Sequence, residues 1–333
     1  MSSAFEFPRL HNALWPRPAI TVWLLAVFVN LLWGQETARK NGMVLIPARN
    51  ASYTIGSSSG FDNEAPMHTV TFSHSFYMDT TEVTQKQYRQ VMSAVYSQYA
   101  EPTWNVQHGV GDTYPVYAVE WGDAALYCNA RSKLEGLDTA YQYIALSGHP
   151  GDGCSLDGVV TRWTSNGYRL ATEAEWEFAC RAGSTSDFYW GKNAVNYPVT
   201  AADTAECNAY AVWAGNAWNY HAEHADFGTH QVATKKPNAF GLYDMCGNVF
   251  EWINDWYLEY GEAAVTDPTG AEFESYRYVR GGSWGNGSEY LRSANRSFAS
   301  PDYYIYFCGF RTVLPVTTTA VGRHVMDDGQ TVT

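Results

Sequence analysis

Basic residues are scarce in this 333-residue sequence. It contains 21 Lys and Arg against 34 Asp and Glu, which gives a formal net charge of -13. Because nucleic-acid binding requires a basic surface, this balance argues against a nucleic acid as a partner. Charged residues make up only 17% of the chain, whereas 16% is aromatic and 28 residues are Gly. Such a composition favours short elements joined by many ordered loops over long amphipathic helices.

Cofactor motifs are missing as well. No GxGxxG opens a helix and no GxxxxGK[ST] occurs, which excludes a dinucleotide fingerprint and a phosphate loop of the usual kinds. Neither a CxxC nor a Cys/His metal-finger spacing is present. The six Cys are an even number, so disulfides are allowed in an exported chain, but several pairings remain open.

The N-terminus contains the one long apolar run, residues 19–33, preceded by Arg9 and Arg17. Its length is typical of a signal-peptide core and short for a membrane span. We therefore predict a signal peptide over residues 1–34 and a linker over 35–42; an uncleaved anchor is the alternative. The protein is then expected at the cell surface, in the periplasm or secreted, with no stable membrane span after cleavage.

The first part of the mature sequence predicts strands followed by a helix. Residues 43–56 alternate between apolar and polar positions and read as a strand that enters a turn. Residues 68–78 predict a second strand. A helix capped by Thr81 or Thr84 follows it.

Two further helices are indicated downstream. Trp121 leads into an amphipathic segment that Gly136 ends, and Thr172 stands three residues before Glu175, the spacing of a capping box. Residues 145–165 are rich in Gly and Ser and predict a loop.

These elements fit one domain better than two. Short helices around a long irregular middle predict a single α+β domain over residues 43–315. Residues 316–333 are polar and aperiodic and predict a disordered tail.

Seven motifs carry a family resemblance. In chain order they are MVLIPA, FYMDTTEVTQKQY, PVYAVEWGDAALYC, GYRLATEAEWEFACRAG, PNAFGLYDMCGNVFEW, RGGSW and GFR. Together they resemble the formylglycine-generating enzyme (sulfatase-modifying factor) family. The resemblance implies an irregular, loop-rich α+β domain, a formylglycine-generating-enzyme-like C-type lectin fold.

The resemblance also implies what the catalytic centre would need. Family enzymes use two Cys, located between the GGS and GFR motifs, which bind copper and engage the substrate thiol. An ungapped alignment from Gly281 places Asn286 and Leu291 at those positions, and neither side chain binds copper. Cys308 has no nearby Cys partner in the sequence and is expected to be structural. Copper and formylglycine-generating activity are therefore not expected.

Calcium is the metal that the resemblance implies. In the family, a turn supplies one side-chain oxygen, two main-chain carbonyls and a Glu, which here correspond to Asp244, Gly247, Val249 and Glu251. Clustered hard oxygens of this kind suit Ca²⁺. The alternative is that Asp244 is an N-cap and Glu251 a surface carboxylate. A second family site matches Asn208, but its Asp partner cannot be aligned.

The C-terminal segment alternates between two kinds of sequence. RGGSW, LRSANR, PD and GFR form a frame, whose residues include Gly281, Gly282, Ser283, Trp284, Arg292, Arg296, Phe310 and Arg311. Between them lies filler, which we predict to bind a ligand: Gly285, Asn286, Gly287, Ser288, Tyr290, Ser297, Phe298, Ala299, Ser300, Tyr303, Tyr304, Ile305, Tyr306, Phe307 and Cys308.

This alternation resembles the variable proteins of diversity-generating retroelements, a branch of the same family. There, adenine-directed mutagenesis of AAC codons rewrites the positions between the frame motifs. All fifteen filler residues belong to the set that such codons can reach. Tyr, Ser, Gly and Asn are also the residues of antibody-like paratopes, because rings supply rigid contact area and small polar residues adapt.

We therefore predict a non-catalytic exported receptor-type protein whose segment 285–308 binds an unknown protein or surface ligand. One alternative makes residues 303–308 a core strand, with every second side chain buried. Another makes the chain a divergent sulfatase-modifying oxidase, or an accessory paralogue without the Cys pair.

Overall fold

The computed structural model describes residues 39–40, 42–194, 197–304 and 306–316. The predicted signal peptide, nearly all of the predicted tail and Ile305 lie outside the described residues. Four α-helices are described: α1 (Gln85–Val95), α2 (Trp121–Leu134), α3 (Glu173–Arg181) and α4 (Ala201–Tyr210). None of them is long and apolar enough to cross a bilayer.

The described strands are short. They are β1 (Arg39–Lys40), β2 (Met43–Ile46), β3 (Ser52–Ile55), β4 (His68–Thr71), β5 (Phe76–Asp79), β6 (Tyr141–Gln142), β7 (Ala145–Gly148), β8 (Cys154–Asp157), β9 (Val160–Thr161), β10 (Arg169–Leu170), β11 (Phe250–Trp256), β12 (Val265–Thr266), β13 (Arg277–Arg280), β14 (Ser297–Ala299), β15 (Cys308–Gly309) and β16 (Thr312–Pro315). Short strands, four helices and long connections make the fold α+β, irregular and loop-rich, as the composition predicts.

Helix starts follow the capping signals in the sequence. The Thr84 side chain accepts from the Gln87 amide at 3.2 Å, and Gln87 returns a bond to the Thr84 amide at 2.9 Å. Thr84, not Thr81, is therefore the N-cap of α1. Thr172 and Glu175 form the same reciprocal pair at the start of α3, which confirms the predicted capping box.

Two local predictions are wrong. Residues 68–78 form two strands, β4 and β5, which belong to different sheets, because the chain turns away between them. Phe72 and Phe76 are both buried on either side of this break, so the apolar alternation continues through it. The predicted loop 145–165 contains the antiparallel hairpin β7–β8. Helix α4, capped by Thr200 and Asp203, was not predicted.

The sheets join distant parts of the chain. A five-stranded sheet has the order β1-β2-β5-β16-β10, so the strand after the GFR motif lies between N-terminal and central strands. A four-stranded sheet, β14-β13-β11-β15, is built from the C-terminal third, and β11 runs antiparallel to β13 and parallel to β15. This second sheet carries the ends of the variable segment.

Helix α2 lies at the centre of the core. Eleven of its 14 residues are buried, so it is enclosed on all sides rather than amphipathic as predicted. Tyr88 and Phe310 pack in the same cluster, and a second cluster gathers around Trp176 of α3. All six Cys are buried and have free thiols; the structure contains none of the disulfides that the sequence allows.

Candidate functional site

The frame of the C-terminal segment is buried. Gly281, Gly282, Ser283, Trp284, Arg292, Arg296, Phe310 and Arg311 all lie in the interior. The turn after β13 depends on glycine, since Gly282 has a φ of +74° and a Cβ there would lie 2.9 Å from the Tyr290 carbonyl oxygen. The frame thus specifies the fold.

Buried ion pairs fix the frame arginines. Each guanidinium pairs with a buried glutamate from another part of the chain: Arg280 with Glu177, Arg292 with Glu64, Arg296 with Glu173 and Arg311 with Glu251. Charges buried in this way require good geometry and further hydrogen bonds. Arg280 meets that requirement by donating to the carbonyls of Ser293 and Ala294, each at 3.0 Å.

The filler has the opposite exposure. Every described filler residue except Cys308 is half-buried or exposed. Tyr303 and Tyr304 each keep 44% of their surface exposed. We call this set without Cys308 and Ile305 the variable surface; its members are Gly285, Asn286, Gly287, Ser288, Tyr290, Ser297, Phe298, Ala299, Ser300, Tyr303, Tyr304, Tyr306 and Phe307.

Cys308 does not belong to that surface. It is 2% exposed, lies in β15 and packs in the core cluster around α2. Its inclusion among the contact residues is therefore corrected, because codon-accessible identity does not reveal burial. Among the described residues of the 303–308 segment, only Cys308 is in a strand, so the core-strand alternative is also wrong.

The variable surface has three neighbourhoods rather than one patch of equal neighbours. Around Trp284, Phe307 lies 5.0 Å from its ring and Tyr306 6.0 Å, measured between centroids. Near the N-terminus of α2, the Tyr304 hydroxyl donates to Asp152 at 3.0 Å; burial and this carboxylate raise the pKa of Tyr304. On the edge strand β14, Phe298 packs against Tyr257.

Constant aromatic residues complete the first neighbourhood. His108 stacks on Tyr306 with 4.1 Å between ring centroids, and Trp218 lies 5.8 Å from Phe307. Trp218 is 42% exposed, so it adds accessible surface. Partial burial lowers the pKa of His108. Sequence reasoning missed these residues, because nothing in their spacing links them to the C-terminal segment.

The predicted calcium ligands lie together in the interior. Asp244 and Glu251 are both buried, so Glu251 is not the surface carboxylate of the alternative interpretation. Glu251 accepts from Arg311 at 2.7 Å and from the Trp176 indole at 2.8 Å. Asp244 accepts from the Ala233 amide at 2.7 Å.

A third carboxylate adds negative charge beside them. Burial, followed by repulsion from Asp244 and Glu251, raises the pKa of Glu82 well above its usual range, and burial raises the pKa of Asp244 to about 6. This charge suits a cation. However, no group of three or more His, Cys, Asp or Glu side chains in the described residues converges on a metal-sized site. A calcium ion there would depend on the carbonyls of Gly247 and Val249, as the family pattern implies.

The second candidate calcium residue has a different contact. The Asn208 side-chain oxygen accepts from the Trp213 indole at 2.8 Å. This bond ties α4 to the turn that follows it. It uses the oxygen that a metal would need.

Calcium binding can be tested by thermal unfolding. If Asp244 and Glu251 hold Ca²⁺, added calcium should raise the melting temperature, because a ligand bound only to the folded state stabilises it. Asp244→Ala should abolish the shift, whereas the exposed control Asp62→Ala should keep it. An equal shift in the Asp244→Ala variant would contradict this site.

The positions of the family's copper ligands cannot serve that purpose here. Asn286 is half-buried on the variable surface, and Leu291 is fully buried in the core. Neither provides a thiolate. The nearest Cys in sequence, Cys308, is buried, and burial raises the pKa of its thiol to about 12.

Comparison with known proteins identifies the family. The sulfatase-modifying factor enzyme 1-like domain matches residues 30–316. The chain belongs to this family. Chaperone protein LppX of Paenibacillus barcinonensis is 31% identical over 281 residues, which cover 79% of this chain and 88% of that protein. The formylglycine-generating enzyme of Mus musculus is 30% identical over 305 residues, which cover 84% and 76%.

Solved structures point to the same family. Treponema denticola variable protein 1 superposes with a TM-score of 0.63 at 28% identity, over 82% of this chain and 94% of that one. The predicted resemblance and the formylglycine-generating-enzyme-like C-type lectin fold are thereby confirmed. The chain spans less than half the length of some other relatives that it matches.

Proposed function

We propose that this protein is a non-catalytic, exported, receptor-type protein that displays a retroelement-diversified binding surface on a formylglycine-generating-enzyme-like scaffold. One observation carries the proposal: the frame is buried, while the described filler is accessible apart from Cys308. A diversified segment requires this partition, because replaceable side chains must not support the core. The similarity to Treponema denticola variable protein 1 supports it.

The composition of the variable surface favours a protein or other surface ligand. Its Tyr and Phe rings offer large contact area at low entropic cost, and Gly, Ser and Asn adapt to a partner. Truncation of one aromatic anchor typically costs about 2 kcal/mol in such interfaces. The net charge of -13 argues against nucleic acid. Calcium, if bound, would have a structural role in the turn behind this surface.

The decisive experiment is nucleotide sequencing of codons 280–311 and their genomic neighbourhood. A diversified segment should have a nearby near-copy that differs only at adenines, together with a reverse transcriptase gene. Absence of the near-copy would contradict diversification.

Removing the exposed tyrosines should abolish ligand binding. Tyr303, Tyr304 and Tyr306 changed together to Ala should eliminate binding to a ligand found by screening. Since Tyr303 and Tyr304 are largely exposed, the melting temperature should fall little, and only through the Tyr306–His108 stack. Trp163→Ala, an exposed aromatic outside the variable surface, is the control and should bind normally. Retained binding in the triple variant would refute the assigned surface.

The second candidate function is enzymatic or accessory. Identity of 30% to a formylglycine-generating enzyme favours keeping a divergent sulfatase-modifying oxidase, or an accessory paralogue, as the alternative. Incubation with copper and a Cys-containing sulfatase peptide should yield no formylglycine by mass spectrometry, because the aligned positions lack thiolates. Any enzyme-dependent product would establish the oxidase instead.

A further inference from the structure

A cavity of about 410 Å³ opens beside the C-terminal segment, where Ser300 and Asp302 lie on its edge. Its other walls come from the start of α2, from the β8 region and from strands β11 and β13. Apart from Ser300, the lining residues discussed below are outside the filler. The cavity is therefore a feature of the constant scaffold rather than of the variable surface.

Arg277 lines this cavity without an acidic partner. It is only 4% exposed, and its guanidinium carbon lies 3.8 Å from the Trp121 ring centroid and 3.5 Å from that of Trp256. One terminal nitrogen donates to the Asn254 carbonyl, while Nε has no hydrogen-bond partner. No Asp or Glu of the described chain forms an ion pair with it, so the cation–π contacts are its main compensation.

Other buried arginines of the described chain differ in this respect. Each of them pairs with a glutamate: Arg169, Arg280, Arg292, Arg296 and Arg311. An unpaired buried cation is costly, and burial lowers the pKa of Arg277 to about 9. This guanidinium would be stabilised by an anionic group that enters the cavity.

The remaining charged residues of the lining have the opposite sign. Glu120 is half-buried there, and Asp157, Glu274 and Asp302 are exposed. Burial, followed by repulsion from Asp123 and Asp302, raises the pKa of Glu120 to about 7. A purely anionic ligand would be repelled by this set of carboxylates. A group with a positive charge would be attracted to them.

Aromatic side chains provide the apolar part of the wall. Trp121 and Trp256 flank Arg277, and Phe273 packs against Trp256 with 5.1 Å between ring centroids. Phe273 is 77% exposed, which is unusual for a large ring and leaves its face free for a ligand. Apolar walls with a few convergent polar groups are typical of small-molecule sites.

We propose that this cavity binds a small zwitterion with an aromatic side chain, of the α-amino acid class. The carboxylate binds Arg277, the ammonium group binds Glu120 and Asp302, and the side chain packs against Phe273 and Trp256. The site goes beyond the proposed receptor function, since it does not use the variable aromatic residues.

Calorimetric titration of the full chain with three related compounds tests the proposal. L-phenylalanine has both charges, 3-phenylpropionate lacks the ammonium group, and phenethylamine lacks the carboxylate. We expect L-phenylalanine to bind, and each single-charge analogue to bind about tenfold more weakly or worse, since each loses a charge-assisted contact. No binding of L-phenylalanine, or equal binding of either analogue, would overturn the proposal.

Variants assign the contacts. Arg277→Met keeps the length of the side chain and removes the charge, and should abolish binding of L-phenylalanine. Because that change touches the core, Glu120→Gln provides a milder second variant, which should weaken binding of L-phenylalanine but not of 3-phenylpropionate. The exposed control Asp62→Asn should bind normally. Unchanged affinity in Glu120→Gln would refute the ammonium contact.

The two proposals fail separately. The Tyr303, Tyr304 and Tyr306 triple Ala variant should retain L-phenylalanine binding while it loses the receptor ligand. If the triple variant also loses L-phenylalanine, the cavity is not an independent site and the inference is overturned, whereas the receptor proposal stands.

Discussion

Replacing Arg280 by Met is expected to destabilise the protein by about 3–5 kcal/mol, the usual cost of breaking a buried ion pair from one side. Arg280 is fully buried and donates to Glu177 and to the carbonyls of Ser293 and Ala294. Methionine fills a similar length but leaves a buried carboxylate and several carbonyls with fewer donors. Urea unfolding followed by circular dichroism measures the loss.

A filler substitution is the matched control. Phe298→Ser stays within the residue set of the filler and changes a largely exposed ring, so its effect should lie within about 0.5 kcal/mol. Arg280→Lys keeps the charge but loses the planar fork of donors, and should fall between the two. Equal losses for Arg280→Met and Phe298→Ser would show that frame and filler support the fold alike, contrary to the division drawn here.

Local signals in the sequence predict local structure well. The caps at Thr84 and Thr172 are found correctly, because a reciprocal bond between residues three apart needs no tertiary information. The frame and the filler are separated for a related reason. A position that must pack admits few residues, whereas an exposed position admits many, so the two leave different compositions in the chain.

Long-range contacts escape the sequence. Arg292 pairs with Glu64 across 228 residues, and His108 reaches Tyr306 through the fold alone. No periodicity encodes such partners. Cys308 shows the same limit at one position, since its identity fits the filler while its side chain packs in the core. The structure therefore revises the binding surface at its edges and adds the constant aromatic residues beside it.

Asp255 provides the second large effect, a dependence of stability on pH. It lies in β11, is buried, and accepts from the Glu173 amide at 3.1 Å through one carboxyl oxygen. The other oxygen has no hydrogen-bond partner. Burial, with added repulsion from Glu173 and Glu175, raises the pKa of Asp255 to about 8. The folded protein thus holds this proton more tightly than the unfolded chain, where the pKa is about 3.9.

The direction of the effect follows from that difference. The stabilisation is fully present below about pH 3.9 and is lost as the pH rises to about 8, because the unfolded chain releases the proton first. Within this window Asp255 lowers the free energy of unfolding by roughly 1.4 kcal/mol per pH unit. Asp255→Asn cannot ionise and keeps an acceptor for the Glu173 amide, so the variant should lack this contribution.

Urea unfolding at several pH values from 5 to about 8 tests the expectation. Wild type should lose stability relative to Asp255→Asn as the pH rises, and the exposed control Asp62→Asn should follow wild type. Parallel curves for wild type and Asp255→Asn would mean that Asp255 is already ionised in the folded state. Its unpartnered oxygen would then have to be stabilised by a bound water or cation, since a buried carboxylate without such compensation is too costly to retain its charge.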